Sequence, residues 1–187
     1  MNDPMTILKA DHRQVRQLLT KLAETDEGAE RNELTATLEK ALTLHMNLEE
    51  GLVYPLVQRE VGEEDAEEAE IEHGLARDGL AKVISMTELP GFGAAVEMLK
   101  AGIEHHVHEE ETELLPELKE RLDRATWLAL GDAILQAKNS SGSPAPASQP
   151  STKRSSKRVS KKASAARPKG VGKVAKSAPS KSPAKRS

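Results

Sequence analysis

Four histidines and two glutamates are spaced as two copies of one set. His12, His45 and Glu49 form the first copy, and His73, His106 and Glu110 form the second, each member displaced by 61 residues. The surrounding text repeats as well. His45-Met46-Asn47-Leu48-Glu49-Glu50 runs on to Tyr54-Pro55, and His106-Val107-His108-Glu109-Glu110-Glu111 runs on to Leu115-Pro116. An acidic residue precedes the first histidine of each copy, Asp11 and Glu72. Imidazole nitrogen with carboxylate oxygen suits iron, manganese or zinc and does not favour calcium or magnesium. Histidine and glutamate at i and i+4 project from one helix face, so one helix can offer both atoms to one centre. Each carboxylate has two oxygens and can bridge two metals. Six such groups on two metals leave positions open for water, hydroxide, oxygen or peroxide. A lone core histidine is more often simply hydrogen-bonded. Four buried imidazoles and two buried carboxylates together would each cost on the order of several kcal/mol in desolvation, and a cation removes that cost.

Helices must carry these residues. The first 138 residues have few turn clusters and few β-branched runs, which reads as all-α. Helix one is expected from Pro4 to Glu24, capped by Asp3, with Leu8, His12, Val15, Leu19 and Leu22 on one stripe. Helix two is expected from Arg31 to Glu60, bent at Pro55, with Leu34, Leu38, Ala41, His45, Glu49, Leu52 and Leu56 inward. Helix three runs from Asp65 to Met86 with Ala66, Ala69, His73, Ala76, Leu80 and Val83 on one face. Helix four runs from Phe92 to Arg121 with Val96, Leu99, Ile103, His106, Glu110 and Leu114 inward. A shorter helix, Arg124 to Lys138, is placed across one end of the bundle. All six candidate ligands fall on apolar stripes. They also share a level, because residues equidistant from a hairpin turn lie side by side. The midpoint of His12 and His45 is 28.5, at Gly28; that of His73 and His106 is 89.5, at Pro90; that of Glu49 and His73 is 61, beside Gly62. The expected architecture is an antiparallel up-down-up-down four-helix bundle with a short fifth helix, its core crossed by one layer of six polar groups.

Charge divides the chain. Of 27 basic residues, 13 lie after residue 138, while all 30 acidic ones lie before it, so residues 1–138 carry 14 basic against 30 acidic, a net of −16. The expected domains are therefore an acidic bundle, 1–138, and a disordered basic tail, 139–187, rich in Ser, Ala, Lys and Pro. Lys153, Arg154, Lys157, Arg158, Lys161 and Lys162 head the tail's recurring cations. A flexible run of this kind binds DNA or another polyanion by counterion release, without reading sequence. It could also fold back on its own acidic body. Cysteine is absent, which excludes disulfides and thiolate chemistry. No leader-like or membrane-length apolar run is seen, so the expected location is cytoplasmic, with nucleoid association through the tail.

The set His12, His45-x-x-x-Glu49-Glu50, His73 and His106-x-x-x-Glu110-Glu111, with a proline six residues after each glutamate, resembles the hemerythrin HHE cation-binding family over about residues 5–120. The resemblance implies an antiparallel bundle around a non-haem di-iron site. It implies His12, His45, Glu49, His73, His106 and Glu110 as metal ligands, with Glu49 and Glu110 as bridges. Two iron ions are the implied cofactor, ahead of manganese or zinc. Oxygen-carrying members have a second histidine where this chain has Arg77, and an aspartate where it has Glu110. The site here is more carboxylate-rich and open, closer to sensor and stress-associated members that respond to iron, oxygen, nitric oxide or peroxide. The expected function is binding or sensing of such a ligand. A catalase- or peroxidase-like enzyme, and a nucleoid-associated protein with a structural metal, are the alternatives. The tail is similar in composition to linker histones and some bacterial nucleoid proteins, as in Ser180-Lys181-Ser182-Pro183. His105 and His108 are expected to face solvent, with a place at or beside the metals as the alternative, and Tyr54 to pack, with ligation or oxidation of its phenol as the alternative. Arg77 is expected to pair with Asp78, Glu72 or Asp11, or to steer an anion. Glu50, Glu109, Glu111 and Glu113 form either a route for iron or only a solvated face.

Overall fold

The computed structural model describes residues 2–141. The tail cations Lys153 to Lys162, and the expected disorder of that segment, lie outside the described residues. Seven α-helical segments are found: α1 Pro4–Glu24, α2 Ala29–Leu48, α3 Tyr54–Glu60, α4 Glu63–Ser85, α5 Phe92–Glu109, α6 Leu115–Arg121 and α7 Arg124–Ser141. Short π-helical stretches, Glu49–Val53 and Glu110–Leu114, join α2 to α3 and α5 to α6, so the bundle has four long rods plus α7. No strand occurs among the described residues.

The π-turns answer the two prolines. Pro55 and Pro116 lack the N–H that would continue the α pattern, and each ring crowds the carbonyl four residues back. The chain absorbs this by widening the preceding turn. The N–H of Tyr54 reaches the Glu49 carbonyl, and that of Leu115 reaches the Glu110 carbonyl, both five residues back. The expected bend at Pro55 is thus a bulge, and both bulges open on a candidate ligand. Each inserts one residue into the helical phase. Beyond them the buried positions are Val53 and Val57, and Leu115 and Leu118, while the expected Leu52, Leu56 and Leu114 are only half-buried.

Gly28 lets α2 begin directly after the first loop, at φ 140°, a region that disfavours a side chain. Asp3 does not cap α1 with its side chain. Its carboxylate accepts the indole N–H of Trp127 at 2.8 Å instead, which ties the start of α1 to α7. From there α7 runs alongside α1, with the Asn2 amide on Asp132 at 2.6 Å and Lys138 on Asp11. It lies on the flank of the first hairpin and not across an end of the bundle. Gly131 permits this closeness, since a Cβ there would come within 1.8 Å of the Asn2 carbonyl oxygen.

The core forms two apolar clusters. One, toward the Gly28 and Pro90 loops, contains Val15, Leu19, Leu38, Leu42, Leu99 and Ile103. The other, toward the Gly62 end, contains Leu8, Val53, Val57, Leu115, Leu118 and Ile134. Between them lie six buried polar residues, the duplicated histidines and glutamates.

Candidate metal centre

The bundle brings all six side chains together at mid-height, each no more than 5% exposed. Glu49 is the hub. Its Oε2 lies 3.1 Å from His45 Nε2 and 3.3 Å from His73 Nε2, and its Oε1 lies 3.7 Å from His12 Nε2. Glu110 Oε2 lies 3.1 Å from His12 Nε2 and 3.9 Å from His106 Nε2. Two groupings of cation-binding size result: His12, His45, Glu49 and Glu110, and Glu49, His73 and His106. Glu49 belongs to both. Glu110 sits with the first.

Every histidine turns Nε2 inward and Nδ1 toward an outer carboxylate. His12 Nδ1 is 2.8 Å from Glu111, His73 Nδ1 2.9 Å from Glu50, and His106 Nδ1 2.9 Å from Glu72. His45 Nδ1 has a longer approach, 3.9 Å, to Asp11. These four carboxylates are themselves two pairs at the 61-residue offset. Each half of the bundle holds the other's first histidine: Glu111 serves His12, and Glu50 serves His73. Donating Nδ1–H outward leaves the Nε2 lone pair facing carboxylate lone pairs, a repulsive arrangement unless a proton or cation lies between them.

The unmet valences show it directly. His12 Nε2, both nitrogens of His45 and all four oxygens of Glu49 and Glu110 are buried without a hydrogen-bond partner. The inward nitrogens lie 3.1 to 3.9 Å from those oxygens, where only a shared proton or a cation can link them. Such groups persist in an interior only when something else satisfies them. Without a metal, protons stand in. Burial opposes a charged His12, but hydrogen bonding and charge from Glu110 and Glu49 prevail and raise its pKa to about 10. His73 is also raised against burial, by Glu49 and then Glu50. Burial would lift the Glu49 carboxyl, yet the charge of His45 and hydrogen bonds from His12 and His73 hold it well below the carboxylate range. The donor set, its inward geometry and its unpaired atoms fit a bound metal.

Tyr54 is more than packing. Its hydroxyl lies 2.9 Å from His73 Nε2, on the side with fewer candidate ligands, where it offers a further oxygen. Burial and then the charges of Glu49 and Glu110 push the phenol far above its ordinary value, so it keeps its proton. It has no counterpart in the second copy, where Leu115 stands. Arg77 pairs with none of Asp78, Glu72 or Asp11. It donates to Glu50 at 2.7 Å and so braces the carboxylate behind His73. Its counterpart Arg16 lies 3.9 Å from Glu111. Extending the 61-residue offset to Arg16 and Arg77, and to Glu50 and Glu111, was the available sign that these residues act together. His108 is exposed. His105 is also exposed, yet it reaches Glu72 and Glu109, each at 3.4 Å.

A small space lies over the histidine rings, on the side away from Tyr54. Val15, Leu42, Met46, Ile103 and Val107 wall it, with all four imidazoles on its floor, and it measures about 10 Å³. That is room for about one water-sized molecule.

A helical bundle with a buried layer of histidines and carboxylates defines a metal-binding bundle protein. More narrowly, the chain belongs to the hemerythrin HHE cation-binding family, whose profile matches residues 3–118. The fold is similar to the crystal structure of a hemerythrin HHE cation-binding domain-containing protein from Mycobacterium kansasii. That similarity has a TM-score of 0.67 and 25% identity, covering 76% of this chain and 89% of that one. The sequence is 27% identical over 117 residues to a protein named DNA nickase from Nostoc sp.. The match takes in 62% of this chain but only 33% of that relative, so the chain spans about a third of its length. No helix among the described residues is long and apolar enough to cross a membrane.

Proposed function

We propose that the chain is a non-haem di-iron protein that binds or senses oxygen, nitric oxide or peroxide. His12, His45, Glu49 and Glu110 would hold one iron, and Glu49, His73 and His106 the other, with Glu49 shared. The observation that carries this reading is the set of six buried, unpartnered donor atoms, His12 Nε2, His45 Nε2 and the four oxygens of Glu49 and Glu110, converging at one level of the bundle. Bound iron supplies a Lewis-acidic, redox-active centre with coordination positions left for a small ligand. The chain's own residues do the rest. Glu50, Glu72 and Glu111 fix the tautomers that point Nε2 inward, and Asp11 orients His45 more loosely. The apolar wall of Val15, Leu42, Met46, Ile103 and Val107 excludes water and limits the ligand to the size of a diatomic or peroxide. Tyr54 keeps a proton at the edge of the centre. The test is titration of anaerobically iron-loaded protein with nitric oxide, oxygen and peroxide, followed by optical and electron paramagnetic resonance spectra. A stoichiometric spectral change without turnover supports binding or sensing. Sustained oxygen release from peroxide would instead assign a catalase-like enzyme. No response to any of the three would overturn the reading.

The charge division favours a second activity. The 13 cations after residue 138, without one acidic residue among them, support binding of DNA or another polyanion. The name of the Nostoc relative agrees with a nucleic-acid setting. A gel shift at low salt that disappears when residues 139–187 are removed would support it, and no shift at low salt would overturn it. Cytoplasmic residence beside the nucleoid follows from that reading.

A further inference from the structure

The second half of the bundle has an acidic approach to the centre that the first half lacks. A cleft of about 160 Å³ descends to Glu110 and His106, and Asp65, Glu68, Glu72, Glu109, Glu113 and Glu117 line it. Acidic faces are common on soluble helices and prove nothing alone. Here the wall ends on Glu110, 1% exposed, with both oxygens unpartnered. At the 61-residue offset, the positions of Glu68, Glu109, Glu113 and Glu117 are taken by Ile7, Leu48, Leu52 and Leu56. Those four pack in one apolar cluster with Trp127, Leu130 and Ile134 of α7. The counterpart of Glu72 is Asp11, which Lys138 of α7 engages. A separate cleft of about 280 Å³ reaches His45, but Lys40 and Lys138 line it beside Asp11 and together outweigh that one carboxylate.

Two residues of the acidic cleft, Glu72 and Glu109, together with the exposed His105 beside them, go further than charge. His105 Nε2 lies 3.4 Å from Glu72 Oε1 and 3.4 Å from Glu109 Oε1, and their donor atoms lie within 4.8 Å of one another. The other oxygen of Glu72 accepts from His106 Nδ1 at 2.9 Å. One carboxylate therefore touches both an exposed histidine and a member of the buried centre. We propose that Glu72, His105 and Glu109 form an outer divalent-cation site, and that metal passes from it along the acidic cleft to Glu110 and the buried centre. The proposal rests on the metal-centre reading above. The negative wall concentrates cations at the opening, the outer triad strips part of their water, and the unpaired Glu110 oxygens take them next. The flank under α7 offers no such acidic wall, since the cleft beside His45 sets two lysines against the single carboxylate of Asp11.

The test follows uptake, not activity. Metal-free full-length protein is mixed with Co(II) in a stopped-flow instrument, and the visible bands of the bound ion report its arrival. His105→Ala and Glu109→Gln are expected to slow uptake at least about fivefold, in the range of electrostatic and site-assisted association, with the same final Co(II) per chain. Glu104→Gln, on the same helix but outside the cleft, is the charge control and is expected to leave the rate unchanged. Unaltered rates in both cleft variants, at full final occupancy, would overturn the route alone. A wild-type chain that takes up no Co(II) would overturn the centre as well.

Discussion

The two halves of this bundle share an interior and differ in their outsides. Inside, each offers a histidine on one helix, a histidine and a glutamate one turn apart on the next, a π-turn starting at that glutamate, and a carboxylate behind the other half's histidine. Outside, the first half is apolar and lies under α7, and the second is acidic and open. Duplication accounts for the symmetry of the centre. What distinguishes the halves is where α7 settles. It rests on the side that has leucines at 48, 52 and 56, and it leaves uncovered the side that has glutamates at 109, 113 and 117. A protein that must hold a metal in a dry core and still admit it needs both kinds of flank.

The sharpest way to break the inner symmetry is at the glutamates. Glu49 lies in both donor groupings and Glu110 in one. Glu49→Ala is expected to leave less than one metal per chain, whereas Glu110→Ala retains about one, on His73, His106 and Glu49. Elemental analysis after anaerobic iron loading separates the two. Equal losses would show that Glu110 bridges as fully as Glu49.

Gly131→Ala attacks the covered flank. The new Cβ would meet the Asn2 carbonyl at 1.8 Å, so α7 must shift. Overpacking of this kind costs about 1–3 kcal/mol, readable as a lowered denaturation midpoint. The equivalent face in the second half has nothing to lose.

A smaller contrast compares the braces. Arg77 holds Glu50 at 2.7 Å, and Arg16 stands off Glu111 at 3.9 Å. Arg77→Ala is expected to weaken metal binding by up to about tenfold, the low end for residues that support a ligand, and Arg16→Ala by less. Competition with a chelator measures both.

The mildest effect is of pH on the metal-free chain. The His12 pKa, raised to about 10 by Glu110 and Glu49 against burial, gives stability that is complete below its ordinary 6.5 and fades as pH climbs through 10. Against burial, His12 holds down the Glu111 pKa, and the nearby His45 and Lys138 hold down that of Asp11; their contributions are present above the ordinary 4.5 and 3.8 and fade below them. Melting temperature without metal should therefore be highest between about pH 4.5 and 6.5 and fall on both sides. A melting temperature that rises from pH 8 to pH 10.5 would contradict these assignments.

Much of this arrangement was legible in the sequence. Loop midpoints at Gly28, Gly62 and Pro90 already put the six side chains at one level, because hairpin geometry depends only on where the chain turns. The expected α1 boundaries, Pro4 to Glu24, coincide with the helix found. The phase beyond Pro55 and Pro116 was not legible. A proline announces a lost hydrogen bond but not whether the helix kinks or widens, and the widening moved burial from Leu52 and Leu56 to Val53 and Val57. The seat of α7 was hidden too, since it depends on contacts between distant residues such as Trp127 with Asp3 and Lys138 with Asp11. The sequence favours packing for Tyr54 over a role at the metals. Only the fold shows its hydroxyl beside His73.

The central claim is that two metals lie between the halves, and metal content tests it most directly. Full-length protein, loaded with iron under anaerobic conditions and freed of excess, is assayed for iron per chain and for the near-ultraviolet absorption of a coupled pair after exposure to air. The account expects about two irons per chain and that absorption, both abolished in Glu49→Ala. One zinc, or no retained metal, in a folded wild-type chain would contradict it.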